Sequence, residues 1–161
     1  MLCKRILVSL GLVFICAQAH AGDVNRAFAA AQGGDFETAM DEWKPLAEQG
    51  FARAQYNIGV MHEMGEGVPQ DYQEAVKWYT LAAKQGYIFA QYNLALKYFD
   101  GNGVAKDRNE AVKWYTLAGE QGHVKSQFNL AVMYDTGDGI LEDNAAALKW
   151  YTLAANSGHI K

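Results

Sequence analysis

The chain is poor in cysteine, proline and positive charge. Its two cysteines, Cys3 and Cys16, both lie near the N-terminus, so the rest of the chain has no disulfide staple and no thiol for catalysis or metal binding. The only prolines are Pro45 and Pro69, which leaves long stretches free to be helical. Lys and Arg total 14 against 18 Asp and Glu, for a net charge of −4. That balance argues against nucleic acid or an anionic membrane surface as partner, since both reward excess cationic side chains. The longest apolar run, "ILVSLGLVFIC" at 6–16, is too short for a comfortable membrane span. At 161 residues, half apolar and a fifth charged, the composition is that of one folded domain.

Lys4 and Arg5 precede the apolar run, and "AQAHA" follows it with Ala19 and Ala21 at small-residue positions. Residues 1–21 read as a secretory signal peptide cleaved after Ala21, which predicts a periplasmic or secreted protein with no stable membrane insertion after cleavage. The alternative is a retained anchor, which the shortness of the run disfavours. Bulky Phe14 and Ile15 before Cys16 do not fit a lipobox. Cleavage removes both cysteines together with Lys4 and Arg5, and lowers the net charge to about −6.

What the chain has in abundance is repetition. The octet "AVKWYTLA" stands at 75–82 and again at 111–118, with "ALKWYTLA" at 147–154. Gly50, Gly86, Gly122 and Gly158 keep the same thirty-six-residue step, as do Asp35, Asp71, Asp107 and Asp143. A fixed period of this length is the mark of a solenoid. Each unit reads as two helices. Helix A spans 52–64 in the clearest unit, ending at Gly65, a residue suited to the left-handed backbone of a helix C-terminus. Helix B follows "GEGVPQ" and begins after Asp71, with Glu74 three positions on as a capping box; Asp107 and Glu110 repeat it, and Asp143 keeps only the cap because Ala146 replaces the partner. Helix B stops at Gly86.

Ala75, Tyr79 and Ala82 share one side of helix B, with Trp78 and Leu81 beside them, so the helix is apolar over a wide arc. Small residues recur on helix A, at Ala54, Ala90 and Ser126 and at Gly59, Ala95 and Ala131, where they let helix axes approach while Trp and Tyr fill the gaps. The octet therefore recurs because identical side chains solve one packing problem at each step, and Trp78, Trp114 and Trp150 are expected in the core. The first unit is irregular: Trp43 aligns with Tyr79, and Pro45 predicts a kink or local break near Lys44. The expected domain is an all-α solenoid of about four helix pairs, at 22–50, 51–86, 87–122 and 123–161.

The segments 54–86, 90–122 and 126–158, with their "GxGV" loops and "A…WY…A…QG" helices, resemble the Sel-one-like repeat family, a relative of the tetratricopeptide repeats. The first unit, with "GDFETA", is similar to a tetratricopeptide half-repeat. The resemblance implies a right-handed superhelix with helix A on its concave face, and an adaptor that holds a protein or peptide. If that groove carries over, its lining is Arg53, Tyr56, Val60 and Glu63, then Phe89, Tyr92, Leu96 and Phe99, then Lys125, Phe128, Val132 and Asp135. Apolar anchors edged by charge suit a peptide. Tyr56, Tyr92 and Phe128 fit equally well between neighbouring A helices. Phe89 and Phe99 are better groove candidates, because Arg53 and Lys125 match the first and Glu63 and Asp135 the second. Asn57, Asn93 and Asn129 recur in a helix for which Asn is a mediocre former, which implies a recurring hydrogen bond to a neighbouring unit's backbone or to a bound peptide.

No catalytic set emerges, and no cofactor is expected. His62 with Glu63 lacks a second His at ligand spacing, His123 and His159 read as exposed turn residues, and "DGNGVAKD" and "DTGDGILED" lack the ligand spacing of a calcium loop. Besides the adaptor reading, a cysteine-rich secreted branch of the same family suggests binding or hydrolysis of β-lactam or cell-wall compounds, although its regularly spaced cysteines are missing here. A third reading is self-association: helix B at 144–156 has no following unit in this sequence, so Trp150 and Leu153 are expected to be partly bare and to favour a homodimer.

Overall fold

The computed structural model describes residues 25–158. The expected signal segment 1–21, with its expected cleavage point after Ala21, and His159 lie outside the described residues. A helical segment over 25–32 (α1) is followed by α2 (Phe36–Glu48), α3 (Ala52–Met64), α4 (Tyr72–Lys84), α5 (Ile88–Asp100), α6 (Arg108–Glu120), α7 (Val124–Thr136) and α8 (Asn144–Gly158). Each of these helices from α2 onward packs on the next, which makes α3/α4, α5/α6 and α7/α8 three successive hairpins. No strand occurs among the described residues. This is the helix-pair solenoid expected from the period. No described helix is long and apolar enough to cross a membrane.

The local signals act as expected at both ends of the hairpin loop. Gly65 closes α3 with φ 73°, and its N–H bonds to the Met61 carbonyl at 2.8 Å. The Asp71 carboxylate accepts from the N–H groups of Gln73 and Glu74 at 2.9 and 3.0 Å, capping α4. The return half of the capping box does not form. Glu74 instead pairs with Lys77 at 2.6 Å, because the Asp71 N–H is already bonded to the His62 carbonyl of helix A, at 2.8 Å. Asp107 and Asp143 make the same clasp to Tyr98 and Tyr134, each at 2.9 Å. The unit with Ala146 in place of Glu therefore loses nothing at that N–H.

The second loop glycine is explained by the neighbouring repeat. A Cβ on Gly103 would sit 2.2 Å from the main-chain oxygen of Tyr72, at the start of the preceding helix B, and one on Gly67 would sit 2.8 Å from Phe36 Cβ. The loop of each unit thus rests on the first turn of helix B in the unit before it.

The core runs along the axis in two stretches, one around Trp43, Leu46, Ile58 and Met61, the other from Ala75 and Tyr79 through Leu94 and Tyr115 to Met133 and Trp150. Tyr79 and Tyr115 are fully buried, each such side chain contributing about 1.5–3 kcal/mol. Tyr79 presses so closely on α3 that a Cβ on Gly59 would lie 2.6 Å from its ring. Trp114 and Trp150 are core as expected, whereas Trp78 is only half-buried. The expected break near Lys44 does not occur. Helix α2 runs unbroken through Pro45 to Glu48, with Pro45 on its exposed side and Trp43, Leu46 and Ala47 buried.

Candidate functional site

Two networks tie the repeats together and define which side chains remain for binding. The first is a ladder of glutamines. Gln55, Gln91 and Gln127, all buried on the A helices, donate from Nε2 to the carbonyls of Ala47, Ala83 and Gly119 in the preceding helix B, at 3.0, 3.2 and 2.9 Å. Gln85 and Gln121 then donate to the Oε1 atoms of Gln55 and Gln91, at 2.7 and 2.8 Å. Ser157 stands where the next glutamine belongs, and Gln127 Oε1 is left buried without a partner. Sequence reasoning passed over this ladder, although its members keep the thirty-six-residue step.

The second network answers the recurring asparagines. The Asn93 amide lies beside the hydroxyls of Tyr56 and Tyr79, and the Asn129 amide beside those of Tyr92 and Tyr115. Each asparagine therefore reaches the tyrosine pair of the preceding unit, rather than its backbone. Burial holds Tyr79 and Tyr115 well above the ordinary phenol range, with the Glu63 carboxylate adding to the effect on Tyr79, so both remain neutral hydroxyls.

Glu63 leaves the expected groove. Its carboxylate accepts from the Tyr79 hydroxyl at 2.6 Å and pairs with the buried Lys97 of the next unit. One unit further on, the equivalent places hold Phe99 and Met133, an apolar pair. Charge and counter-charge were thus exchanged together. Arg53 is drawn aside, with its guanidinium 4.8 Å over the Phe28 ring. His123 is no exposed turn residue. Its ring packs at a tilt against Tyr92 with centroids 4.6 Å apart and touches Phe89 edge-on at 5.9 Å, while Nδ1 accepts from the Ser126 N–H at 3.3 Å. Burial, with Lys125 nearby, lowers its pKa below the ordinary 6.5.

The remaining helix-A residues line open space. Tyr56 and Tyr92 rest one ring face on the helix-B tyrosines Tyr79 and Tyr115, and Phe128 rests on Tyr151, at 5.7–6.0 Å. They are therefore both core and surface: Tyr56 and Tyr92 are half-buried and Phe128 is 52% exposed. Leu96, Phe99, Phe128, Asn129 and Val132 border a cavity of about 280 Å³. Tyr92, Lys125, Phe128, Asn129 and Tyr151 border an adjoining one of about 750 Å³, so Phe128 and Asn129 stand in the wall of both. Phe99 is backed by the Arg108 guanidinium, 3.4 Å over its ring. Phe89 projects beside this groove, touching Tyr56, Tyr87 and His123. Asn57 and Val60 line a third cavity, beside α1 and α2. Among the described residues no group of three or more His, Cys, Asp or Glu is placed to hold a metal ion.

At the last hairpin Trp150 is buried, which agrees with its core assignment and not with the partly bare end expected for self-association. Leu153 is 38% exposed, but Leu81 and Leu117 at the same position of interior units are 45% and 37% exposed, so this leucine faces outward in every unit. The side chain that stands out is Leu148, exposed where Val76 and Val112 are half-buried.

The hairpins coincide with three matches to the sequence profile of the Sel1 repeat, at residues 52–87, 88–123 and 124–159. The chain belongs to the Sel1 repeat family. Sel1 repeats generally mediate protein–protein interactions and are typically non-catalytic scaffolds. Among solved structures, the fold is similar to that of a Sel1 repeat protein from Oxalobacter formigenes, with TM-score 0.81 and 34% identity over 84% of this chain and 56% of that one. It is also similar to a protective antigen of uropathogenic Escherichia coli with an SLR fold, with TM-score 0.83 and 38% identity over 93% of this chain and 33% of that one. A 43-residue stretch is 40% identical to DAP3-binding cell death enhancer 1 of Rattus norvegicus and 37% identical to its Mus musculus counterpart. That match spans only 8% of those proteins' length and 27% of this chain.

Proposed function

We propose that this Sel1 repeat chain is an exported, non-enzymatic adaptor that binds a protein or peptide along the concave face formed by its A helices. The observation that carries this reading is the pair of adjoining cavities on α5 and α7, which share Phe128 and Asn129 and carry an aromatic floor with Lys125 and Asp138 in their walls. Apolar anchors of this kind provide affinity, and the flanking charges set register. Phe128 and Phe89 leave half their surface in solvent while resting on other rings, so each presents a preorganised face at low entropic cost. Export rests on the character of residues 1–21 and is checked by sequencing the N-terminus of protein recovered from the periplasm, where Gly22 should come first.

The test of the groove is a pull-down from periplasmic extract with the wild type, Tyr92→Ala and Phe128→Ala. Both substitutions should weaken capture of the same partner set while leaving helicity unchanged. Capture that persists undiminished with both variants removes the groove assignment.

A further inference from the structure

We infer that the open face of the α7/α8 hairpin is a seat for an amphipathic α-helix carrying a lysine, docked as α5 docks on the α3/α4 hairpin. The array itself shows what such a face holds. Where α5 packs on α4, the helix-B residues Tyr79, Ala82 and Ala83 are 0%, 0% and 1% exposed. Where α7 packs on α6, Tyr115, Ala118 and Gly119 are buried in the same way. On α8 no described helix covers the equivalent places: Tyr151 is half-buried and Ala155 is exposed. Phe128 stays 52% exposed, whereas Tyr87 and Phe89 close over Tyr56, and His123 over Tyr92. The space left is the cavity of about 750 Å³ bordered by Phe128, Tyr151, Ala154 and Ala155, among others.

Charge specifies which kind of helix fits. Asp135 stands two repeats after Glu63, and Tyr151 two repeats after Tyr79. The Tyr79 hydroxyl donates to Glu63 at 2.6 Å and the Tyr151 hydroxyl to Asp135 at 3.4 Å, so the α3/α4 and α7/α8 hairpins offer the same carboxylate and phenol. The hairpin between them has Phe99 in that place. Each covering helix matches its seat: α5 brings Lys97 to Glu63, and α7 carries Met133 over the hairpin with Phe99. Asp135 is exposed, and among the described residues no Lys or Arg pairs with it. Covering it with an apolar side chain strands a desolvated carboxylate, whereas a lysine pairs with it. The other features follow from α5: Ala90, fully buried; Gln91, which donates to the Ala83 carbonyl; and Asn93, beside the tyrosine hydroxyls. The complement is thus a helix with a small residue, Gln, Asn and Lys in the register of Ala90, Gln91, Asn93 and Lys97. This occupant rests on the reading of the helix-A face as a binding surface and names what that face takes at α7 and α8.

The probe is a synthetic copy of α5 with its caps, residues 87–101, labelled with fluorescein at its N-terminus, amidated, and titrated with the whole protein by fluorescence anisotropy. It should bind saturably below about 1 mM. The peptide with Lys97→Met should bind about tenfold more weakly, Asp135→Asn in the protein should weaken the unaltered peptide about tenfold, and the two losses should not add, because they remove one contact. Ala155→Gln fills the seat from an exposed position, so it should abolish binding with helicity retained. No saturable binding overturns the inference. So does equal affinity of the two peptides for the wild type, or binding that survives Ala155→Gln and therefore lies elsewhere. Self-association in sedimentation that Ala155→Gln abolishes makes a second copy the occupant, and overturns it too. A peptide that fails to bind, beside a pull-down that depends on Phe128, leaves the groove with a different class of ligand. Peptide binding with a pull-down indifferent to Phe128 leaves the helix seat without the adaptor reading, so the two failures are distinct.

Discussion

Gly103→Ala and Gly86→Ala form a matched pair that isolates the contact between repeats. Both glycines have positive φ, +78° and +85°, so a Cβ costs about 1–2 kcal/mol at either one. At Gly86 nothing lies within 4 Å of the added atom, so that is the whole cost. At Gly103 the Cβ would meet Tyr72 O at 2.2 Å, Tyr72 C at 2.3 Å and Gln73 N at 2.8 Å. These are main-chain atoms of α4, capped and hydrogen-bonded, and they cannot rotate away. Forcing the loop off them adds about 1–3 kcal/mol. Gly103→Ala should therefore cost about 2–5 kcal/mol against about 1–2 for Gly86→Ala, a difference of several degrees in Tm at roughly 2–4 °C per kcal/mol. Urea melts followed by circular dichroism and by tryptophan fluorescence measure both, and agreement of the two probes checks that unfolding remains cooperative along the array. Equal losses within about 0.5 kcal/mol would refute the argument that each loop bears on the preceding helix.

Lys97→Met should cost about 3–5 kcal/mol by stranding Glu63, while the double variant Glu63→Phe with Lys97→Met, which copies the Phe99 and Met133 pair, should recover most of it in the same melts. Ser157→Gln supplies the missing rung to Gln127 Oε1 and should raise stability by about 1 kcal/mol. His123 is held below its ordinary pKa of 6.5, so the unfolded chain takes up its proton first. Its contribution is complete above 6.5 and is lost as pH falls from there through the lower folded value, so urea midpoints should decline over that range and His123→Gln should flatten the decline.

The local punctuation was readable residue by residue. The helix ends at Gly65 and Gly101, the caps at Asp71, Asp107 and Asp143, and the buried face of Ala75, Tyr79 and Ala82 depend on spacing alone. What escaped depends on which unit touches which. Glu74 looks like a capping-box partner until the clasp from His62 occupies the N–H it would reach. Glu63 looks like a groove charge until Lys97, thirty-four residues on, is brought against it. That pairing left a trace, since both residues break the repeat at once. Gln55, Gln91 and Gln127 keep the period openly, but glutamine is usually a surface residue, and spacing alone does not name the carbonyl of the preceding helix that each one reaches. Of the helix-A residues expected to line a groove, Tyr92, Leu96, Phe99, Lys125, Phe128, Asn129 and Val132 border the two adjoining cavities, whereas Arg53 and Glu63 turn elsewhere.

The adaptor reading is tested most directly by site-specific photocrosslinking in the native cell, with the reactive side chain placed at Phe128 on helix A or at Lys84, exposed on helix B. Position 128 should capture a defined partner that position 84 does not. The same products from both positions, or none from position 128 alone, would contradict it.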